Sequence, residues 1–188
     1  MTEKLVSGVY VGDAPFFTSF LIRTLSWKLL LGDDSLIVNT LKTLHLLSII
    51  LWVGGMAFVL FFLRPALGSL QPPQRVTLMH DVLRRFFGAV SAAVVIVLAS
   101  GLWMMADFAS GASASGVRMP MSWMVMATLG LLMMAVYGHV RFVLYKRLQR
   151  AVASSEWSAG GAALGSIRVW VLANLFIGLV IIGVLMLL

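Results

Sequence analysis

Leu44 to Leu63 reads LHLLSIILWVGGMAFVLFFL, twenty residues with no formal charge unless His45 is protonated, closed by Arg64 and Pro65. At about 1.5 Å per residue, a helix of this length covers roughly 30 Å, the hydrocarbon thickness of a bilayer. His45, Ser48, Trp52, Gly55 and Val59 recur at three-to-four spacing, which puts an imidazole, a hydroxyl, an indole and a glycine on one face. An anchor has no use for such a face. The stretch therefore carries both the membrane assignment and the first functional candidates.

Composition agrees with it. The chain has 188 residues, 61% hydrophobic and 11% charged, with a mean hydropathy of +1.00. A soluble domain of this size has too much surface for so few charges, so the chain belongs to the membrane class and its first partner is the lipid bilayer. With zero cysteines, disulfides, thiolate metal sites and cysteine nucleophiles are all excluded. The formal charge of +7 would suit nucleic acid only as a basic face on a folded domain. Here the cations sit at the ends of apolar runs, so nucleic acid is not expected as a partner.

Upstream of this stretch, Asp13-Ala14-Pro15 resembles a helix start and Gly32 a helix stop. Between them Phe16 to Leu31 is apolar but broken by Arg23 and Lys28, which predicts an amphipathic helix on the membrane surface rather than a fifth span. Asp33, Asp34 and Ser35 supply cap residues for the helix that enters the first span. Downstream, after Pro72-Pro73, the run QRVTLMHDVLRR predicts a short amphipathic helix leading into a second span. Asp107 to Arg118 and Ala151 to Ser166 are rich in small residues and read as loops. The expected fold is all-α: a polytopic membrane protein with a four-helix transmembrane bundle and an N-terminal interfacial helix. Residues 1–35 form the extension and 36–188 the transmembrane domain, with spans at about 43–64, 86–106, 121–145 and 168–188.

Charge sets the expected orientation. The first–second and third–fourth connections carry Arg64, Arg75, Arg84, Arg85, Arg141, Lys146, Arg147, Arg150 and Arg168 against only Asp81 and Glu156. That excess marks their face as cytoplasmic. The expected location is a bacterial inner (plasma) membrane, multi-pass, with both termini on the periplasmic side.

Polar groups within a bilayer are costly and are functional candidates by default. Near the outer face lie His45, Ser100 and Thr128, with Met104, Met105, Met119, Met121, Met124, Met126 and Met186 at a similar depth. One imidazole among thioethers suits Cu(I), while methionine also fills irregular gaps in apolar cores. Near the inner face, His139 and Asn174 fall at one level, as does Ser91. They can pair as helix–helix glue, or His139 can serve as an axial ligand to haem. His45 and His139 differ in depth by about 18–20 Å, so they cannot ligate the two faces of one iron. His80, beside Asp81 and Arg84, is expected to be solvated.

Lys42-x-x-His45-x6-Trp52-x-x-Gly55 followed by Arg64-Pro65 resembles the first helix of the copper-resistance D (CopD-like) membrane proteins. It is also similar to HemJ-type protoporphyrinogen oxidases, four-helix proteins that bind haem b. The likeness continues through Arg85-Phe86-Phe87, Ser100-Gly101-Leu102, Tyr137-Gly138-His139 and Arg168 with Asn174, covering roughly Leu36 to Leu188. Two departures separate the branches. The HemJ-type pattern has a lysine after the tryptophan that opens helix three, where Trp123 is followed here by Met124, Val125 and Met126. Its fourth helix has an Asn-Glu-x-Pro feature, where Asn174 is followed here by Leu175 and Phe176.

The resemblance implies a CopD-like protein, and the outer-face methionines favour copper handling, in transport or resistance, with His45, Met104, Met105, Met121 and Met124 as the expected metal ligands. The alternative it implies is a haem-b redox protein. In that reading His45 or His139 holds the iron, Trp52 packs on the ring, Lys42 or Arg64 contacts propionates, and electrons pass to quinone or porphyrin. Copper ion or haem b is accordingly the expected ligand. The chain is not expected to be an enzyme unless it is a haem-dependent membrane oxidoreductase. A third reading is a non-catalytic bundle that assembles as a homo-oligomer or within a larger membrane complex.

Overall fold

A computed structural model describes residues 34–115 and 119–187. Internal contacts divide the chain into two units, Met1–Leu41 and Lys42–Leu188. The surface helix expected over 16–31 and the cap at Asp33 lie outside the described residues. All the candidate site residues, from Lys42 onward, belong to the second unit.

Every regular element among the described residues is helical. Helix α1 spans Asp34–Phe58 and passes directly into a π-helical turn, Val59–Leu63, then a short helical turn, Arg64–Ala66, and a 3₁₀ turn, Leu67–Ser69. Helix α2 spans Pro72–Ser115, and α3 spans Met121–His139. A second π-helical turn, Val140–Leu144, links α3 to α4, Tyr145–Ala153, and α5 covers Trp157–Leu187. Four stretches are long and apolar enough to cross a membrane: Leu36–Ser69, Pro72–Gly111, Met121–Ala153 and Trp157–Leu187. The all-α, four-span expectation holds.

Each span buries one stripe. On α5 the stripe is Gly160, Ala163, Ile167, Val171, Asn174 and Gly178, a three-to-four spacing that keeps one face toward its neighbours. From α2 come Val76, Met79, Leu83, Phe87 and Val90, and from α1 Trp52 and Met56. The opposite faces are apolar too: Phe62 and Phe176 are each 68% exposed. Such faces would be a liability in water and belong against lipid tails.

Four boundary expectations change. Arg64-Pro65 does not end the first span, because the chain stays helical to Ser69. The Arg64 N–H donates to the Val59 carbonyl, a wide i−5 bond just before the proline, and this wider turn carries the chain past a residue that lacks an N–H. The separate lead-in helix does not exist either: Pro72 opens one 44-residue helix, and proline suits a first turn, where its missing N–H costs nothing.

Third, α2 continues through Asp107–Ser115, where composition predicts a loop. The ring of Phe108 packs on Trp123 of α3 at 5.2 Å, tying this extension to the next span. Fourth, the loop expected over 151–166 shrinks to Ser154–Glu156. Ser155 takes φ 56°, while the Glu156 N–H donates to Ala151 and that of Ser155 to Val152. That left-handed residue with its paired bonds closes α4. The small residues beyond it serve a helix crossing. A Cβ on Gly160 would come within 2.7 Å of Val76 Cγ1 on α2. In a bilayer, small residues at such crossings let backbones approach.

Candidate functional site

His45 enters the interior near the start of the first span and meets α2. Its Nδ1 lies 2.8 Å from Ser100 Oγ, and its Cε1 would sit 3.5 Å from a Cβ placed on Gly101. Ser100 is 2% exposed, and its hydroxyl donates to the Ile96 carbonyl at 2.6 Å. A serine hydroxyl has one proton. With that proton on Ile96, the imidazole Nδ1–H can donate to Ser100 Oγ, which would leave the Nε2 lone pair open. A metal-ligating histidine has its second nitrogen held by a hydrogen bond in this way.

Four residues further along α2, Met104 and Met105 follow Ser100 and Gly101 and so share their faces. Both are partly buried. Met121 and Met124 open α3 with 75% and 57% of their surface exposed; no described contact joins them to His45. Met186 is likewise exposed. Thr128 donates its hydroxyl to the Met124 carbonyl at 2.9 Å, satisfying itself within its own helix. Of the outer group, the structure joins His45 to Ser100; Met104 and Met105 lie one turn further along α2, and Met121, Met124 and Met186 are exposed.

The inner level differs from expectation. His139 does not pair with Asn174. It is exposed, and its ring packs on Trp170 at 4.9 Å. Asn174 instead points into the bundle, 3% exposed, and donates Nδ2–H to Met56 Sδ at 3.7 Å. Its Oδ1 is buried without a partner. Ser91 hydrogen-bonds Tyr137 at 2.7 Å, and the Tyr137 hydroxyl lies 3.0 Å from the Phe87 carbonyl, to which it can donate. Nor is His80 solvated: its side chain is 17% exposed and stacks nearly parallel on buried Tyr145 at 5.6 Å.

Trp52 is 4% exposed and meets Tyr137 edge-on at 5.7 Å, two helical turns deeper than His45. Beside this pair lies a small cavity lined by Trp52, Met56, Phe87, Tyr137, Val140 and Asn174. It has room for about one water-sized guest. Trp52 fills core space rather than lying open as a platform for a macrocycle, and His139 faces away from the interior. The haem alternative gains no support from this geometry. Lys42 and Arg64 stand at opposite ends of the first span, Lys42 exposed and Arg64 partly so. Arg64 lies within electrostatic reach of Arg75 and Arg168, so cations from three spans meet at one end.

Among the described residues, no three of His, Cys, Asp and Glu gather as a metal cluster. The donors at hand are the His45 imidazole and several thioethers. The fold defines a polytopic, four-span membrane protein.

The chain belongs to the copper resistance protein D family, whose pattern matches residues 80–188. That match covers the second span from His80 onward and all of the third and fourth, and it begins after His45 and Met56. No curated protein and no solved structure matches the chain. The resemblance to HemJ-type oxidases receives no support from these comparisons.

Proposed function

We propose that this protein handles Cu(I) in a bacterial inner membrane, in transport or resistance, taking the ion from the periplasmic side at His45 with Met104 and Met105. The observation that carries the reading is the His45–Ser100 hydrogen bond of 2.8 Å, beside a Ser100 hydroxyl that also reaches the Ile96 carbonyl. It supports a tautomer whose Nε2 can ligate. Met121 and Met124 are exposed thioethers at the outer opening of α3, suited to collecting the ion before it reaches His45. Thioether and imidazole donors favour Cu(I) over harder divalent ions. Family membership and the cation excess on the opposite face support the copper assignment and the orientation respectively. On this reading the chain is a conduit or reservoir with copper as its cargo, and both termini are periplasmic.

Expression in a copper-sensitive bacterial host tests it. Cells carrying the wild-type chain should differ from vector-only cells in copper tolerance and in cell-associated copper, and His45→Ala should return both to the vector level at equal membrane abundance. Wild-type cells indistinguishable from vector would overturn the proposal.

A further inference from the structure

Asn174 is the most deeply placed amide among the described spans, and half of it has nothing to bind. Its Nδ2–H reaches the thioether of Met56 at 3.7 Å, while Oδ1 is buried and unpartnered. A buried carbonyl left without a donor is costly, and a polar side chain inside a bilayer calls for a role. Leucine at 174 would fill a similar volume at no such cost. The amide borders the small cavity, whose wall also includes the rings of Trp52 and Tyr137 and the thioether of Met56.

The local backbone is unusual on two sides of this cavity. Met56 lies three residues before the π-helical turn Val59–Leu63, and Tyr137 three residues before the π-helical turn Val140–Leu144. Val140 itself lines the cavity. Such turns concentrate at functional sites. A second buried thioether is close by: Met133 Sδ would lie 3.7 Å from a Cβ on Gly178, one turn along α5 from Asn174 on the same face.

We propose that Met56 and Asn174 form a deep intramembrane site for a soft monovalent cation of the Cu(I) type, bound by Met56 Sδ and Asn174 Oδ1 against the ring walls of Trp52 and Tyr137. Binding requires only that the amide turn its carbonyl toward the sulfur. Thioether supplies the soft donor, the amide oxygen a second, neutral donor, and the neighbouring rings of Trp52 and Tyr137 can add cation–π attraction. The site lies on the same face of α1 as His45, eleven residues and about 16 Å deeper. Met133 offers the next thioether along α5. This inference rests on the copper reading above, because it assigns the same cargo a second position.

The test uses the full chain in lipid nanodiscs with methionine ε-methyl groups labelled with carbon-13. Ag(I) serves as the probe because it is soft, monovalent and inert to oxidation. Met56→Leu assigns the Met56 resonance and preserves volume. The expected result is a saturable shift of the Met56 methyl and a loss of one Ag(I) equivalent in Met56→Leu. In Asn174→Leu that shift should need at least about tenfold more Ag(I). If other methionines shift while Met56 stays fixed, the deep site is overturned and the outer copper reading stands. An unchanged Met56 response in Asn174→Leu also overturns it, because the amide is then no ligand. If wild-type protein binds no Ag(I) at all, both readings fall.

Discussion

Ser100 Oγ lies 2.6 Å from the Ile96 carbonyl and 2.8 Å from His45 Nδ1. The role proposed for His45 depends on that pairing, because it turns Nδ1 toward Ser100 and Nε2 away. Removing the hydroxyl in Ser100→Ala frees the ring to rotate and exchange tautomers without touching the proposed ligand. Loss of such a supporting hydrogen bond typically costs about 10–100-fold in metal affinity. Competition with a Cu(I) chelator should show a weakening of that size in Ser100→Ala, smaller than the loss in His45→Ala. His45 and Ser100 are legible in the sequence because polar residues in apolar runs are conspicuous. Met56 is not, since a face of His45, Ser48 and Trp52 continues equally well through residue 55 or 56. Both turn inward. A Cβ on Gly55 would overlap the Phe86 ring of α2, whereas Met56 meets Asn174 of α5. Only the positions of the neighbouring helices reveal that each serves a different partner.

At the scale of elements, the four apolar runs were legible and their ends were not. Glycine, serine and alanine signal loops in water-soluble chains, but between membrane helices the same residues allow close crossings. Gly160 against Val76 is such a crossing, and Asp107–Ser115 is the continuation of α2. The two readings of that segment predict opposite responses to proline. Ala109→Pro in a loop would be neutral, whereas in the interior of α2 it should cost about 3 kcal/mol. Denaturant unfolding of the detergent-solubilised protein, followed by circular dichroism, should register that loss. The π-helical turns at Val59–Leu63 and Val140–Leu144 had no composition signal at all. Each adds a residue to a turn, which composition does not signal.

Across the whole molecule, the two proposed donor sets would lie along one face of the first span. The outer set is His45 with Met104 and Met105, and the deeper set is Met56 with Asn174, flanked by Met133. Between them lie Ser48 and Trp52, both buried. At the far end, Arg64, Arg75 and Arg168 concentrate positive charge. Under the proposed orientation that end is cytoplasmic, and its charge would oppose a cation continuing unaided, so onward release would call for an acceptor there. The family match over residues 80–188 takes in the continuation of the resemblance from Arg85 to Asn174, while the Lys42–Pro65 pattern lies before it. The choice of donors was not legible, because depth along a helix can be counted from sequence whereas the partner across the bundle cannot.

The decisive measurement is an anaerobic Cu(I) titration of the purified protein against a competing chelator, with His45→Ala run beside it. Wild-type protein should withdraw Cu(I) from the chelator, and His45→Ala should weaken the outer site by more than the roughly 10–100-fold loss expected of Ser100→Ala. Wild-type protein that leaves the chelator fully loaded, or a His45→Ala variant that binds as tightly as wild type, would contradict a copper site at His45.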